Sequence, residues 1–343
     1  MHIRGETLDD ALHIVFQRAL RSKIRTRSSK GCARELIAAL LTIKNPRARF
    51  SRTERRGTLL SCLGESLWYL SGSARLEVIE HYIPKYRTFS GLSKRAKTAP
   101  GAYGPRLFGG KAPTQYDGVV GHLAERLKDG KDTRQAVIQV FREKDLGKKD
   151  VPCTCTMQFL ARRGRLHMMT SMRSNDAYRG LPHDVFAFTW LQEIVARSVS
   201  LELGEYHHAV GSLHLYNADE DGAREYLGEG WPEQLAMPAM PIGDPWPSIR
   251  WLLGLEEAIR LGRPYALECT GIAPYWVDLA RLLRFHRLLK EGRRREIVQE
   301  KSLLSTDVYE ALVRSKSQVR DIEGDAPLLA YAATARSVGR QSR

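Results

Sequence analysis

Cys153 follows a proline in Val151-Pro152-Cys153, and three polar clusters follow it in order along the chain. They are Arg173-Ser174-Asn175-Asp176, then Gly180-Leu181-Pro182-His183-Asp184, then His214-Leu215-Tyr216. A thiolate is a strong nucleophile, and a neighbouring Arg173 is expected to lower its pKa and raise the thiolate fraction. Arg173-Ser174 places a forked guanidinium beside a hydroxyl, a pair suited to phosphate. Asp176, Asp184 and the lone carboxylate of the apolar stretch Leu59–Leu70, Glu65, are candidates for ordering a substrate or moving a proton. His214 and Tyr216 alternate on one strand face. Together these residues describe a site for a phosphorylated, electrophilic substrate. The competing readings are a small buried cysteine, a turn-starting Asp176, a helix-capping Asp184 and a Glu65 at a helix edge. Cys155 raises a Cys-x-Cys metal site, but no second ligand pair at metal spacing accompanies it and His207-His208 is a weak partner, so no metal is expected.

Elements must bring these residues together. Thr7 opens a helix with apolar residues at helical spacing, residues 35–43 form a buried strand, and Leu59 to Leu70 form a helix. The Gly-, Pro- and Lys-rich stretch 90–114 is a loop or lid. Residues 134–141 read as a strand, and 154–160 with 165–172 as a hairpin around Arg163-Gly164. A long helix is expected from about Asp184 to Ser198, with Asp184 as its cap. Tyr206 to Tyr216 then reads as a strand and Ala218 to Tyr226 as a helix. Beyond the Pro-rich 238–247 segment the chain turns basic and helical, with helices over 249–261, 277–290 and 307–316. The organisation is an α+β core over 1–247 and a mainly helical extension over 248–343.

The order and spacing of these motifs over residues 31 to 240 resemble the thymidylate synthase family. In that family a cysteine adds to carbon 6 of a pyrimidine nucleotide, so that carbon 5 can attack a one-carbon donor. The resemblance implies a thymidylate synthase-like sheet packed with helices, 5,10-methylenetetrahydrofolate as cofactor and a pyrimidine nucleoside monophosphate as substrate. It assigns Cys153 as nucleophile, Glu65 (in Gly64-Glu65-Ser66-Leu67-Trp68-Tyr69-Leu70) as acid/base through water, and Asp176 as the residue ordering the ring. Arg173 and Ser174 then bind phosphate, and His214 and Tyr216 hold the sugar. Arg134 resembles the arginine donated across a homodimer interface to the partner's phosphate. Gln135 stands where a second arginine usually follows, and Arg47 or Arg49 is a candidate replacement. Ser212-Leu213 replaces the usual Asp-Thr, and a short apolar closing tail is not evident. Most telling, Asp184 stands where thymidylate synthases carry asparagine and the family's cytidylate hydroxymethylases carry aspartate. An amide can both accept from N3 of uracil and donate to its O4, whereas a carboxylate accepts from the cytosine amino group. The resemblance therefore favours hydroxymethylation of a cytidine nucleotide. Thymidylate synthesis from dUMP is the first alternative, and a non-catalytic nucleotide- or RNA-binding protein the second.

Composition sets the outer limits. The 343 residues carry 54 Lys and Arg against 39 Asp and Glu, a net charge of +15, which calls for anionic partners. A dedicated nucleic-acid role is disfavoured because no recognised binding motif accompanies the charge. No apolar run is long enough for a bilayer span, and five cysteines without a tight framework point to a reducing cytoplasm.

Overall fold

A computed structural model describes residues 1–309 except 29, 52–56, 232 and 268–270. Its elements run β1 (His2–Gly5), α1 (Leu8–Arg21), β2 (Arg25–Ser28), β3 (Gly31–Ile43), α2 (Leu59–Leu70), α3 (Leu76–Tyr82) and α4 (Tyr86–Phe89). Then come α5 (Gly104–Leu107), α6 (Gln115–Lys128), β4 (Val137–Gln139), β5 (Thr154–Arg162), β6 (Arg165–Asp176), α7 (Gly180–Ser198), β7 (Glu202–Tyr216) and α8 (Glu220–Gly228). Three helices close the described chain, α9 (Trp246–Leu261), α10 (Pro274–Glu291) and α11 (Arg294–Ser302). The expected helix at 307–316 lies mostly outside the described residues.

A mixed sheet in the order β1-β3-β7-β6-β5-β4, with β2 also paired to β3, forms the centre of this α+β fold. The hairpin β5–β6 turns at Arg163, whose φ of 50° and neighbouring Gly164 at 73° provide the left-handed corner. β6 and β7 run parallel, so Thr170 faces His208 and Asp176 faces His214. That parallel pair needs a crossover, and α7 supplies it. α7 is buried on nearly every side, between the sheet and α2, which explains its continuous apolar character. Trp190 sits there fully buried, its indole N–H donating to Tyr275 of α10 at 2.9 Å. α10 thereby joins the same core as α2 and α7. Truncating Trp190 to alanine would cost about 3–5 kcal/mol.

Local chemistry sets the ends. Thr7 and Asp10 exchange side-chain and backbone hydrogen bonds at 3.1 and 2.9 Å, a capping box that starts α1. α7 starts four residues earlier than the sequence suggests. The carboxylate that receives the N–H groups of Tyr178 and Arg179, at 2.9 and 3.0 Å, belongs to Asp176. Asp184 is therefore an interior residue of α7, not its cap, and Pro182 sits within the first turn, where a missing N–H leaves no gap.

The strand expected at 134–141 shrinks to Val137–Gln139. Its outer edge at Gln139 is satisfied by the side chain of Gln115 on α6, which donates to its carbonyl and accepts from its N–H, both at 2.9 Å. The 90–114 loop is pinned at two points. Arg106 is buried, holds Asp145 through two bonds of 2.5 and 3.0 Å, and donates to the carbonyls of Val140 and Pro100. Gly101 N–H binds Asp150 at 2.8 Å, three residues before the nucleophile candidate.

Candidate active site

The loop Val151–Cys153 enters β5 beside β6, and Arg173 of β6 holds it there. Its Nε donates to Pro152 O and its Nη2 to Val151 O, both at 2.9 Å, while Arg173 N–H donates to Cys153 O at 2.9 Å. Arg173 Nη2 stands 3.7 Å from Cys153 Sγ.

Arg173 pulls the thiol's pKa down, as the sequence leads one to expect. Burial outweighs it, however, and the Cys153 thiol ends above its ordinary value. Lys30, in the turn between β2 and β3, is a second cation lowering it, while Asp184 and Asp150 push it up. The N–H of Thr154 donates to the Tyr103 hydroxyl at 3.3 Å, which fixes the backbone just after the cysteine.

Glu65 lies in the buried face of α2, one turn before Tyr69, whose hydroxyl donates to Glu65 Oε1 at 2.7 Å. Burial pushes the Glu65 carboxyl up to about 7, with the Tyr69 bond opposing. The Tyr69 and Tyr103 rings lie 5.0 Å apart, and Tyr86 feels the charge of both Glu65 and Cys153. Tyrosines from α2, α4 and the pinned loop thus connect the helix carboxyl to the nucleophile. Asp184 belongs to the same cluster. Its carboxyl is held well above the usual range by burial first and then by Glu65, with a bond from the Asn175 side chain opposing. Asp176 is raised as well, chiefly by burial, while its two backbone N–H bonds and His214 oppose the shift.

His214 Nδ1 donates to the carbonyl of Ser212 at 3.3 Å, which orients the ring. The Tyr216 ring stands edge-on to it at 4.9 Å, and its hydroxyl lies 3.4 Å from Ser28 of β2. Ser174 pairs with Ser212 across β6 and β7, one step from His214. The structure therefore gathers Cys153, Arg173, Ser174, Asp176, Asp184, Glu65, His214 and Tyr216 around the ends of β5, β6 and β7 and the start of α7.

Two expected residues lie elsewhere. Arg134 is exposed ahead of β4, and its carbonyl accepts from Gln158 at 2.9 Å. Arg47 is half-buried in a loop, and its carbonyl accepts from Met237 N–H at 2.8 Å. Arg49 is not a spare cation. It is fully buried, donates to Glu193 at 2.5 Å and to Pro46 O at 3.0 Å, and so serves the core. The sequence gives no role to Lys30, Tyr69, Tyr103 or Asn175. Tyr69 alone has a local signal, its four-residue spacing from Glu65. Among the described residues, no cluster of His, Cys, Asp and Glu could hold a metal, and no helix is long and apolar enough to cross a membrane.

A family model described as thymidylate synthase matches residues 18–248. A deoxyuridylate hydroxymethyltransferase of Delftia phage PhiW-14 is 27% identical over 290 residues, covering 73% of this chain and 77% of the relative. Another, from Pseudomonas phage M6, is 34% identical over 161 residues, covering 45% and 43%. A thymidylate synthase of Listeria monocytogenes serotype 4b (strain CLIP80459) is 31% identical over 106 residues, covering 31% and 34%. The chain belongs to the thymidylate synthase family. It is an enzyme of one-carbon transfer to carbon 5 of a pyrimidine, with methylenetetrahydrofolate as the donor.

Proposed function

We propose that the enzyme hydroxymethylates carbon 5 of a cytidine nucleotide, CMP or dCMP. The observation that carries this reading is Asp184, a carboxyl buried beside Glu65 near Cys153 with its proton affinity raised. Such a group can share a proton with N3 of cytosine while accepting from the amino group. A second reading, hydroxymethylation of a uridine nucleotide, is favoured by the names of the two phage relatives. Both readings differ from thymidylate synthesis in how the reaction ends, with water rather than hydride.

Cys153 adds to carbon 6 and places electron density on carbon 5. Arg173 and Lys30 favour its thiolate, and Arg173 can turn from the Val151 and Pro152 carbonyls toward a phosphate. Glu65, balanced near neutrality, moves a proton at the carbon-4 substituent through water. His214 Nε2 and the Tyr216 hydroxyl hold the sugar. The folate supplies the one-carbon unit at the methylene level. The residues fit that group: Asp176 spends Oδ1 on two backbone N–H groups, which leaves its other oxygen to accept from an aminopyrimidinone edge.

The same reading makes the enzyme a homodimer. Val137, Gln158, Met169 and His207 form a lateral row across the sheet, on the face turned away from the core. Val137 and Met169 are exposed there, and Arg134 borders the row through Gln158. Residues 1–247 are then the catalytic domain and 248–343 an extension, whose helix α10 packs on α2. Mixing Cys153→Ser with Arg134→Ala chains tests the shared site, because each hybrid dimer has one site with both residues intact. Recovered activity supports the donated arginine, and no recovery after verified subunit exchange removes it. The base is tested by comparing kcat/KM for cytidine and uridine monophosphates in one sugar series. A preference for uridylate would hand first place to the second reading.

A further inference from the structure

Tyr69 stands four residues after Glu65 on α2, so the two side chains share one face of the helix. Both are buried, and the Tyr69 hydroxyl donates to Glu65 Oε1 at 2.7 Å. A tyrosine has a single proton to donate, and here the carboxyl receives it. Among the described residues nothing bonds the second oxygen, Oε2, and that oxygen is not sealed from solvent. The two oxygens of Glu65 are therefore unequal. One is claimed by the protein, and the other faces the site.

The donor is held still by its surroundings. The Tyr69 ring lies 5.0 Å from the Tyr103 ring, and Tyr103 stacks at 6.2 Å on Phe188 of α7. The loop that carries Tyr103 presses on α2 so closely that a Cβ on Gly104 would lie 2.8 Å from the Tyr69 carbonyl oxygen. Tyr103 Oη receives the N–H of Thr154 at 3.3 Å, directly after Cys153. The ring that clamps Glu65 thus packs against the ring that steadies the nucleophile. Burial, then the charge of Glu65, hold the Tyr69 phenol well above its ordinary range, so it keeps its proton and stays a donor.

We propose that Tyr69 is a positioning residue that claims Oε1 of Glu65 throughout the reaction, so that every proton Glu65 exchanges passes through Oε2. The proposal rests on Glu65 moving a proton in the one-carbon transfer, and it holds for either base. With Oε1 kept as an acceptor, the acid form carries its proton on Oε2. Glu65 gives that proton to a water on the substrate side and takes one back at the same atom, while Tyr69 keeps its own proton in both states. The hydroxyl also binds the carboxylate more strongly than the acid, because the bond to a charged acceptor is the stronger one. It therefore opposes the burial that favours the protonated group. A phenyl ring in its place would fill the same space, free both oxygens and leave burial unopposed.

The test uses the full-length enzyme with Tyr69→Phe and, separately, with 3-fluorotyrosine at position 69, a stronger donor of nearly the same shape. Folding is checked by circular dichroism. Two quantities are read: the titration midpoint of the Glu65 carboxyl by carbon-13 NMR, assigned with Glu65→Gln, and the limb of the kcat–pH profile that Glu65→Gln abolishes. In the parent both should fall near 7. Tyr69→Phe should raise both by roughly one pH unit, with the nucleotide KM staying near the parent's. Fluorotyrosine should lower both. A folded Tyr69→Phe enzyme with an unmoved midpoint, or two substitutions that shift it in the same direction as a packing change would, overturns the proposal. If Tyr69→Phe does not fold, the fluorotyrosine enzyme decides alone, a fall supporting the proposal and no movement overturning it. A midpoint that moves while the kcat limb stays would remove Glu65 from the reaction and Tyr69's role with it, so failure of the acid/base reading is seen apart from failure of the bond.

Discussion

The two ends of the site are built on opposite electrostatic principles. At the nucleophile end, Arg173 and Lys30 surround a thiol at the sheet edge, and the arginine's hydrogen bonds go to backbone carbonyls that a phosphate could replace. At the end proposed to read the base, burial raises the proton affinity of both Glu65 and Asp184, and the charge of Glu65 raises that of Asp184 further. One end holds charge ready for an anion. The other holds protons ready for a neutral ring. On the proposed reading, affinity and base choice reside in separate parts of this site and should fail separately when mutated.

The largest separation is expected from Cys153→Ser. It should reduce turnover by about a thousandfold or more while leaving nucleotide affinity nearly intact, because an alcohol is far less ionised than a thiol. Tritium release from carbon 5 and equilibrium binding read the two halves, and near-normal release would contradict nucleophilic addition.

Glu65→Gln should cost about a hundred- to ten-thousandfold in kcat, again with little loss of phosphate-dependent binding. It should also remove a stability trend. The folded carboxyl titrates near 7 against an unfolded value of 4.5, so its contribution is complete below pH 4.5 and lost as pH rises through 7. That loss is at most about 3 kcal/mol, read as denaturation midpoints across this window, and it should be absent in the glutamine variant. An identical pH trend in both proteins would place the proton elsewhere.

Much of this contrast is legible in the chain, and unevenly so. The nucleophile end is carried by contiguous motifs, Pro152-Cys153 and Arg173-Ser174, so spacing is enough to find it. Helix α2 and the β5–β6 hairpin are equally plain, because a run of apolar residues or an Arg-Gly corner is a local signal. The start of α7 is harder to read, because it depends on Asp176 receiving two N–H groups, while Asp184 offers an equally good capping residue. The strand before the cysteine is shorter than its composition suggests because its edge is closed by Gln115, a side chain from another element. Asn175 and His208 are 33 residues apart and meet only through the parallel pairing of β6 and β7. No local pattern announces such a pair.

A smaller effect should sharpen the base-reading end. Asp184→Asn lies inside α7, so the helix start should be unaffected, and the exchange should shift relative specificity toward uridylate by about ten- to a hundredfold. An unchanged ratio of kcat/KM would mean that Asp184 does not face the base. Smaller still is the expected effect of Arg173→Ala on the free enzyme. Alkylation of Cys153 by iodoacetamide should rise with pH along a curve displaced upward, since one of two cations favouring the thiolate is gone. A curve unmoved from the parent's would assign that role to Lys30.

The most direct test of the central claim is incubation of the enzyme with methylenetetrahydrofolate and each of the four pyrimidine nucleoside monophosphates, with products read by mass spectrometry. The account predicts that a cytidine nucleotide gains CH2O and that no dihydrofolate forms. A uridine nucleotide gaining CH2, with dihydrofolate released, would contradict it.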